Sequence, residues 1–469
     1  MLKLLLKNNI NKYQLIHFIG IGGIGMSALA EALKVMGYNI QGSDSSSSYN
    51  TERLLKKGIK IFLSHSKSNI KGVDLVVISS AIKETNIEYI EAKNNNIQII
   101  KRADLLAELM KQKISITISG THGKTTTSSL TSYILHQAKL NPTAIIGGIV
   151  TNYNNNFLLG DGDFFVAEAD ESDGSFLKLP SVISIVTNIE KEHMDYYKTY
   201  ENLENSFIEY LNKLPFYGFA VLCIDDVGIK NILPKLNINY FTYSLIDNNA
   251  NFLATNIFYN QEYTSFDIIQ NIKGKQLIYT DFKITLKGSH NVLNSLACFG
   301  VAVSLNINPT EIKDALSSFQ GIKRRFTEIG TFQGAKVIDD YAHHPTEIKV
   351  VIDAATKIIH STNKVIAVIQ PHRYTRLKDN FQEFINVLST TDYVILLDVY
   401  SAGENIIEGY NSNSLKDNLI KIKDKDTVFY LSDSNLLPNI LTTIAKKNDI
   451  IIFMGAGDIT NIAKNFVQL

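Results

Sequence analysis

Residues 114–126 read ISITISGTHGKTT, and this stretch decides the fold of the segment around it. The β-branched apolar run Ile114 to Ile118 is typical of a buried strand, and the residues after Gly123 are suited to open a helix. A strand followed by a glycine turn and a helix N-terminus points several backbone N–H groups at one place, where they can bind phosphate. The sequence therefore predicts a phosphate-binding loop formed by Gly120, Thr121, His122, Gly123, Lys124, Thr125 and Thr126.

The side chains that open the predicted helix add the chemistry of a nucleoside triphosphate site. Lys124 can reach the β- and γ-phosphates, and the Thr125 hydroxyl is a natural Mg²⁺ ligand. A regular Walker A loop has a glycine five residues before Gly123, where this chain has Ile118, so the loop is short. The alternative is a glycine-rich connector with an exposed lysine. The strand in front of the loop and the GKTT sequence favour phosphate binding.

Composition narrows the class of protein. The chain has 469 residues, enough for two to four domains, each with its own core. Lys plus Arg and Asp plus Glu both total 46, so no diffuse positive field indicates a nucleic-acid partner. Two cysteines, Cys223 and Cys298, are too few for a disulfide framework and suit a reducing cytosol. Residues 1–7 do not read as a signal peptide and no stretch is long enough to span a bilayer, so we expect a cytoplasmic protein without membrane insertion.

The first segment, residues 1–111, carries a dinucleotide-type fingerprint. A strand over 14–19 leads into a glycine loop and a helix over 26–36, and Asp44 follows 19 residues after the last glycine. This pattern predicts binding of a diphosphate and a ribose, without specifying a nicotinamide. Ser79 and Ser80 end a further strand at the expected ligand crevice, although turn and N-cap chemistry explains them equally well. The glycines of the fingerprint are Gly20, Gly22, Gly23 and Gly25.

The second segment, residues 112–322, ends two strands in acidic residues. Glu168 follows the strand over 163–167, and His193 follows the strand over 181–189 among further carboxylates. Such strand ends can place oxygen and imidazole ligands beside a γ-phosphate. The alternative interpretation is that these residues form solvated acidic loops. Aromatic residues over 241–281 predict inserted antiparallel ribbons. On the helix that comes next, Asn291 and Asn294 share one face and could read an adenine edge, with helix capping as the competing explanation.

The third segment, residues 323–469, alternates strands and helices and is expected to form a Rossmann-like sheet. Arg325 follows another arginine at the domain junction, where its planar guanidinium suits a phosphate, with an exposed pair as the alternative. Tyr341, His343 and Arg376 follow strand ends. No cysteine or H-E-x-x-H pattern accompanies the histidines, so we favour substrate contacts over a zinc site. The predicted class is therefore α/β with three domains: an N-terminal Rossmann-like domain, a central P-loop ATPase-like mixed sheet and a C-terminal Rossmann-like domain.

Taken together, these motifs resemble the Mur ligases, ATP-dependent amide-forming enzymes of peptidoglycan assembly. The resemblance covers essentially the whole chain, and the motifs occur in the family's order. A Glu at position 192, where the family pattern more often has Asp, is a mild departure. The matching stretches are HFIGIGGIGMS at 17–27, GTHGKTT at 120–126, EADESD at 168–173, TNIEKEHMD at 187–195, HNVLN at 290–294, RRF at 324–326, DDYAHHPTE at 339–347 and QPHRYTR at 370–376.

The resemblance implies an activity and a set of roles. It implies that ATP is used with Mg²⁺ or Mn²⁺ to join L-alanine to the carboxylate of UDP-N-acetylmuramate, in a monomer or homodimer. The N-terminal glycines then hold UDP, and the C-terminal domain binds the amino acid and closes the site. Three rivals remain: a ligase that adds a recycled tripeptide, an NAD-dependent oxidoreductase and a non-catalytic regulator. The implied roles are ATP binding for Lys124, Asn291, Asn294 and Arg325, metal binding for Thr125, Glu168 and His193, and contact with the reacting carboxylate or the amino acid for Tyr341, His343 and Arg376.

Overall fold

The computed structural model describes residues 13–79, 81–260, 262–272 and 274–468, without the side chain of Asp195. Ser80, one of the predicted crevice residues, lies outside them. By internal contacts the chain divides into two units, and each is described by itself. The first unit comprises the described part of Met1–Thr255 with Ile268–Tyr279 and Leu293–Leu316, and the second comprises Asn256–Asp267, Thr280–Val292 and Ser317–Leu469.

Strands and helices alternate along most of the chain. The strands are β1 Leu15–Ile19, β2 Asn39–Ser43, β3 Lys60–Phe62, β4 Leu75–Ile78, β5 Gln98–Lys101, β6 Ile114–Ser119, β7 Thr143–Val150, β8 Asn155–Leu158, β9 Phe164–Glu168, β10 Ile183–Val186, β11 Phe219–Cys223, β12 Tyr240–Ser244, β13 Phe252–Tyr259, β14 Thr264–Ile272, β15 Lys275–Ile284, β16 Thr327–Phe332, β17 Ala335–Asp340, β18 Val365–Ile369, β19 Tyr393–Leu397, β20 Val428–Leu431 and β21 Ile450–Met454.

The α-helices are, in chain order, α1 Ile24–Val35, α2 Tyr49–Lys56, α3 Ile87–Asn94, α4 Arg102–Met110, α5 Lys124–Gln137, α6 Met194–Tyr197, α7 Tyr200–Asn212, α8 Val227–Ile232, α9 Ser289–Ser304, α10 Pro309–Ser318, α11 Pro345–Ile358, α12 Tyr374–Asp379, α13 Phe381–Leu388, α14 Ser412–Leu419, α15 Leu437–Ile444 and α16 Ile459–Val467. None of the helices in the described residues is long and apolar enough to cross a membrane.

The first sheet has the strand order β3-β2-β1-β4-β5, and each neighbouring pair is parallel. Strand order reverses at β1 and β4, and open parallel sheets bind their ligands outside the carboxyl ends of the strands at such a reversal. The glycine loop follows β1, and Ser79 follows β4. The predicted Rossmann-like arrangement of the first segment is therefore confirmed.

The central sheet is mixed and has the order β15-β14-β13-β12-β11-β10-β6-β9-β7-β8. Its strand β6 lies between β9 and β10 and is parallel to both. Both acidic strand ends therefore flank the phosphate loop that follows β6. The antiparallel ribbon predicted over 241–281 starts too early, because residue 241 lies in β12. This strand pairs parallel with β11 and belongs to the parallel part of the sheet.

The third sheet lies in the second unit and has the order β16-β17-β21-β18-β19-β20. Only the edge pair β16–β17 is antiparallel among its described pairs. Strand β21 is buried on both faces: Ile450, Ile452 and Met454 join one apolar core, while Ile451 and Phe453 join the other. A continuous apolar run such as IIIFM is what a strand covered by helices on both sides requires.

Candidate active site

The phosphate loop depends on two glycines with left-handed backbone angles. Gly120 has a φ of +124°, and a Cβ there would overlap Thr187 Oγ1 and lie 2.9 Å from the Asn188 carbonyl oxygen. Gly123 has a φ of +86° and precedes the first turn of α5, where a Cβ would lie 2.8 Å from Asn294 Oδ1. L-residues with side chains rarely adopt such angles, so both positions favour glycine.

Residues after β10 hold the loop in place. The Thr121 N–H donates to the Asn188 carbonyl at 3.1 Å, and the His122 N–H donates to Asn188 Oδ1 at 2.8 Å. Thr121 Oγ1 in turn accepts the Glu190 N–H at 2.8 Å. The predicted loop residues therefore lie at the centre of the sheet, and Thr126 continues into α5 beside them.

Lys124 is held by three acceptors. Its Nζ donates to the carbonyl oxygens of Gly120 and Thr121 at 2.6 and 3.1 Å, and it lies 2.9 Å from both carboxylate oxygens of Glu171. Glu171 is 1% exposed and was not singled out by the sequence. Burial alone would lower the pKa of Lys124, but the carboxylates of Glu171 and Asp170 outweigh it and raise the pKa, so the ammonium stays charged.

The predicted metal ligands surround the start of α5. Thr125 Oγ1 lies 3.3 Å from Glu168 Oε2, and the other carboxylate oxygen of Glu168 accepts the Gly147 N–H at 2.6 Å. His193 Nε2 lies 3.5 Å from Glu192 and 3.9 Å from Glu171, so it is linked to the loop through the partner of Lys124. A hydroxyl, one carboxylate and an imidazole fit a divalent cation that completes its shell with phosphate oxygens and water.

The two predicted adenine-site residues behave differently. Asn294 lies against Gly123 of the phosphate loop, within the first unit. Asn291 belongs to the second unit, and its Nδ2 donates to the Lys287 carbonyl at 2.7 Å across the start of α9. The helix begins at Ser289, so both residues lie in its first two turns. The contact of Asn291 is a local bond from the side chain to the carbonyl four residues earlier, and the adenine-side role of both residues stays a prediction.

The glycine loop after β1 is closed by Asp44 and Asn50. The Gly22 N–H donates to Asp44 Oδ2 at 2.8 Å, and Asn50 Nδ2 donates to the Gly22 carbonyl at 2.8 Å. Gly20 has a φ of +79° and faces Ser79, while Gly25 faces Arg102 of α4 and Gly23 precedes α1. In the described part of the chain, no donor reaches the buried Asn50 Oδ1. Asn50 is therefore a further candidate for contact with a ligand in this loop.

A buried polar network that was not predicted from the sequence lies beneath this glycine loop. Glu88 of α3 accepts hydrogen bonds from Ser43 Oγ at 2.5 Å and from Asn69 Nδ2 at 2.6 Å, and His65 Nδ1 lies 3.0 Å away. Burial would raise the pKa of Glu88, but hydrogen bonds from His17, Ser43, Asn69 and His65 lower it to about 2. The available signal was a histidine, His17, inside an otherwise apolar strand.

In the second unit, Asp340 holds the turn that carries the predicted phosphate arginine. Its carboxylate accepts the N–H groups of Phe326 at 2.6 Å and Ala342 at 2.7 Å. Arg324 and Phe326, on either side of Arg325, have φ angles of +63° and +49°, a strained conformation for residues with side chains. Burial raises the pKa of Asp340 to about 6, although Arg325 opposes the shift.

The remaining predicted residues of the second unit form one cluster. The guanidinium of Arg325 lies 5.4 Å from the centre of the Tyr341 ring, and the Tyr341 and His343 rings are 5.3 Å apart. Arg376 Nη1 donates to the His372 carbonyl at 3.3 Å, and the His372 ring lies 6.0 Å from that of His343. Burial lowers the pKa of both histidines, to about 4 for His372, so both are neutral near pH 7.

Three family models match in order: Mur ligase family, catalytic domain, over residues 15–114; Mur ligase middle domain over 118–302; and Mur ligase, glutamate ligase domain over 324–457. The domain boundaries predicted from the sequence, which give domains 1–111, 112–322 and 323–469, stay a prediction.

Two relatives and two solved structures show how far the similarity extends. The UDP-N-acetylmuramate–L-alanine ligase of Rickettsia bellii is 44% identical to the chain, and the match covers 100% of this chain and 99% of the relative. That of Rickettsia rickettsii is also 44% identical, over 99% of this chain and 96% of the relative. A UDP-N-acetylmuramate–alanine ligase structure from Thermotoga maritima matches with a TM-score of 0.83 at 27% identity, over 97% of this chain and 98% of the other. A murein peptide ligase structure from Psychrobacter arcticus has a TM-score of 0.70 at 23% identity with the same coverage, and it supports the fold alone. The predicted resemblance and the three-domain α/β class are confirmed, and the chain belongs to the Mur ligase family.

Proposed function

We propose that this chain is an ATP-dependent ligase that joins L-alanine to the carboxylate of UDP-N-acetylmuramate in peptidoglycan synthesis, releasing ADP and phosphate. The observation that carries the proposal is the cluster of Lys124, Thr125 and Glu168 around a phosphate loop, in a chain whose relatives with this activity match it from end to end. The loop alone supports binding of a triphosphate, and the relatives support the identity of the acid and the amine.

The sugar nucleotide binds at the glycine loop of the first sheet. Gly20, Gly22, Gly23 and Gly25 let the backbone approach the diphosphate, and the N-terminus of α1 supplies positive potential. Asp44 accepts from the ribose, in exchange for or together with the Gly22 N–H that it accepts now. Ser79 contributes a hydroxyl at the end of β4, where the crevice of such a sheet lies, and the role of Ser80 stays a prediction from the sequence.

In the first chemical step, an oxygen of the muramoyl carboxylate attacks the γ-phosphorus of ATP, and ADP leaves. Two anions must approach each other, so Lys124 and the loop N–H groups stabilise the phosphoryl group being transferred. Thr125, Glu168 and His193 would hold a divalent ion, Mg²⁺ or Mn²⁺, which would supply further positive charge at the phosphates. Arg325 contacts phosphate, and Asn291 and Asn294 contact the adenine side.

In the second step, the amino group of alanine attacks the acyl phosphate, a C–N bond forms, and phosphate leaves. The ammonium must first lose a proton, and His343 is neutral and able to take one. His343 Nδ1 lies 3.0 Å from the Tyr341 carbonyl oxygen and must carry the hydrogen there, which makes Nε2 the accepting nitrogen. Arg376 pairs with the carboxylate of alanine, and Tyr341 completes the contact.

Three parallel incubations separate this proposal from its rivals. Each contains the purified chain, ATP, Mg²⁺ and UDP-N-acetylmuramate; L-alanine is added to the first, the tripeptide to the second, and NADH or NADPH to the third. We expect phosphate release with alanine, and a product heavier than the sugar nucleotide by one alanine residue. Product with tripeptide alone identifies the recycling ligase, a nicotinamide-dependent absorbance change identifies an oxidoreductase, and binding without turnover identifies a regulator.

Two further expectations accompany this function. Both cysteines are free and buried, as suits a protein of the reducing cytosol. The chain acts as a monomer or a homodimer on small-molecule substrates, which sedimentation at several protein concentrations distinguishes.

A further inference from the structure

The lysine that the loop would offer to a phosphate is paired with Glu171. Lys124 has three ammonium hydrogens, and the structure gives it three acceptors: two loop carbonyls and the Glu171 carboxylate. For Nζ to reach a phosphate oxygen, at least one of these contacts must be given up. The Glu171 contact is the one in which an anion can replace an anion.

The surroundings of Glu171 add to the free-energy cost of replacing its contact with Lys124 by a phosphate contact. Its side chain is 1% exposed, while that of Lys124 is 17% exposed. Asp170 is the next residue, and its negative charge acts on the same ammonium group. The Glu171 backbone is fixed as well, because its carbonyl accepts a hydrogen bond from the Tyr197 hydroxyl. The carboxylate therefore stays close to Lys124, where the β- and γ-phosphates of a nucleotide would bind.

We propose that Glu171 is a positioning residue whose carboxylate competes with a nucleotide phosphate for the Lys124 ammonium group, and that it selects for nucleotide carrying a divalent cation. This inference rests on the proposed function, because it assumes that the loop takes an adenine nucleotide. A metal-free polyphosphate meets an unneutralised carboxylate beside the lysine. A nucleotide with its cation brings the charge that offsets Glu171.

The substitution Glu171→Gln tests this role because it removes the charge and keeps the size. Two like charges about 5 Å apart, at the effective dielectric constant of about 20 that is typical of protein sites, repel strongly enough to change affinity by about tenfold or more. We therefore expect Glu171→Gln to bind ADP in EDTA about tenfold more tightly than the parent chain, with a smaller gain when Mg²⁺ is present. Asp173→Asn is the matched control, because Asp173 is an exposed acid two residues away whose carboxylate accepts only a local N–H bond from Ser175 among its described hydrogen bonds.

The measurement is calorimetric titration of ADP into each variant, with and without Mg²⁺, in the absence of alanine and sugar nucleotide. Tighter metal-free binding by Glu171→Gln, with Asp173→Asn unchanged, supports the inference. Equal or weaker binding overturns it, since Glu171 then only braces Lys124 or is not sensed by phosphate. If the parent chain itself binds no adenine nucleotide, the proposed function fails instead.

A second variant guards against a folding defect. Glu171→Asp keeps the charge but withdraws the carboxylate by one methylene, so its metal-free affinity is expected between those of the parent chain and Glu171→Gln. The melting temperature of each variant without nucleotide gives an independent readout. Glu171→Gln should melt lowest, because it leaves the Lys124 charge without its anionic partner, and it should gain most on addition of ADP. An equal gain in all variants contradicts the proposal.

Discussion

Replacing Glu88 with glutamine tests how strongly the buried network supports the glycine loop. Glu88 is fully buried, and its carboxylate accepts from Ser43 and Asn69 while two histidines lie within 3.5 Å. The glutamine has nearly the same shape, but its amide nitrogen presents hydrogens to partners that are themselves donors. The change therefore breaks hydrogen bonds without leaving a cavity.

The pKa of Glu88 sets the size of the effect. Its pKa falls from 4.5 to about 2 in the folded chain. A difference of about 2.5 units corresponds to about 3 kcal/mol of stability when the group is ionised, close to the cost of breaking a buried ion-pair network. Because the folded pKa is the lower one, this stability is fully present above pH 4.5 and is lost as the pH falls from there toward 2.

Hydrogen exchange of the β1 and β2 amides is the appropriate assay, since a three-domain chain need not unfold in one step. We expect Glu88→Gln to lower the opening free energy of these strands by about 3 kcal/mol at pH 7, with the gap closing below pH 4.5. Glu91→Gln is the control, because Glu91 lies on the same helix near the surface, where it accepts a hydrogen bond from Asn95 Nδ2 at 2.9 Å and lies 3.9 Å from Lys67. A loss below about 1 kcal/mol, or parallel pH profiles for the two proteins, would refute the reasoning.

The same variant should affect sugar-nucleotide binding. The Ser43 carbonyl accepts the N–H groups of Gly20 and Ile21 at 2.8 and 3.0 Å, so Glu88 acts on the loop through Ser43. We expect a KM for UDP-N-acetylmuramate raised about tenfold with kcat nearly unchanged, as when an interaction common to substrate and transition state is lost.

Three further substitutions test the remaining parts of the site. Gly120→Ala places a Cβ against the Asn188 backbone after β10, and we expect this variant to lose the rise in melting temperature that ADP causes. Gly37→Ala is the control, because Gly37 also has a positive φ but has open space around it, and we expect this variant to keep that rise. Asp340→Asn weakens the acceptor of the Phe326 N–H, so we expect kcat/KM for ATP to fall about tenfold or more while hydrogen exchange in the first two sheets stays unchanged. Lys124→Ala should reduce turnover by at least about a hundredfold and leave UDP-sugar binding intact, and a loss of sugar binding would contradict separate sites.

Local patterns allowed much of the fold to be predicted. The strand, glycine turn and helix at 114–126 are encoded by neighbouring residues, and the structure has β6 and α5 there. The order of strands in the sheet is different, because it depends on contacts between distant segments. The strand ends indicated that Glu168 and the residues after β10 lie near the phosphate loop, but the order β9-β6-β10, which puts them on either side of it, could not be read from the sequence.

The residues that were missed are of two kinds. Glu171 lies in an acidic stretch with Glu168, and only the backbone turn after β9 decides which carboxylate faces Lys124 and which faces Thr125. Glu88 appears on α3 as an ordinary surface-type residue, and its burial follows from packing against segments about 20 and 45 residues away in sequence. Both depend on tertiary structure, which composition and periodicity do not record.

Transfer of an oxygen atom tests the central claim, that the phosphate loop activates the muramoyl carboxylate as an acyl phosphate. UDP-N-acetylmuramate with ¹⁸O in its carboxylate is incubated with the chain, ATP and L-alanine, and the released phosphate is analysed by mass. If the carboxylate attacks the γ-phosphorus and the amine then displaces phosphate, one labelled oxygen leaves with each phosphate and the other stays in the amide. Phosphate released without label, alongside continued turnover, would contradict the account.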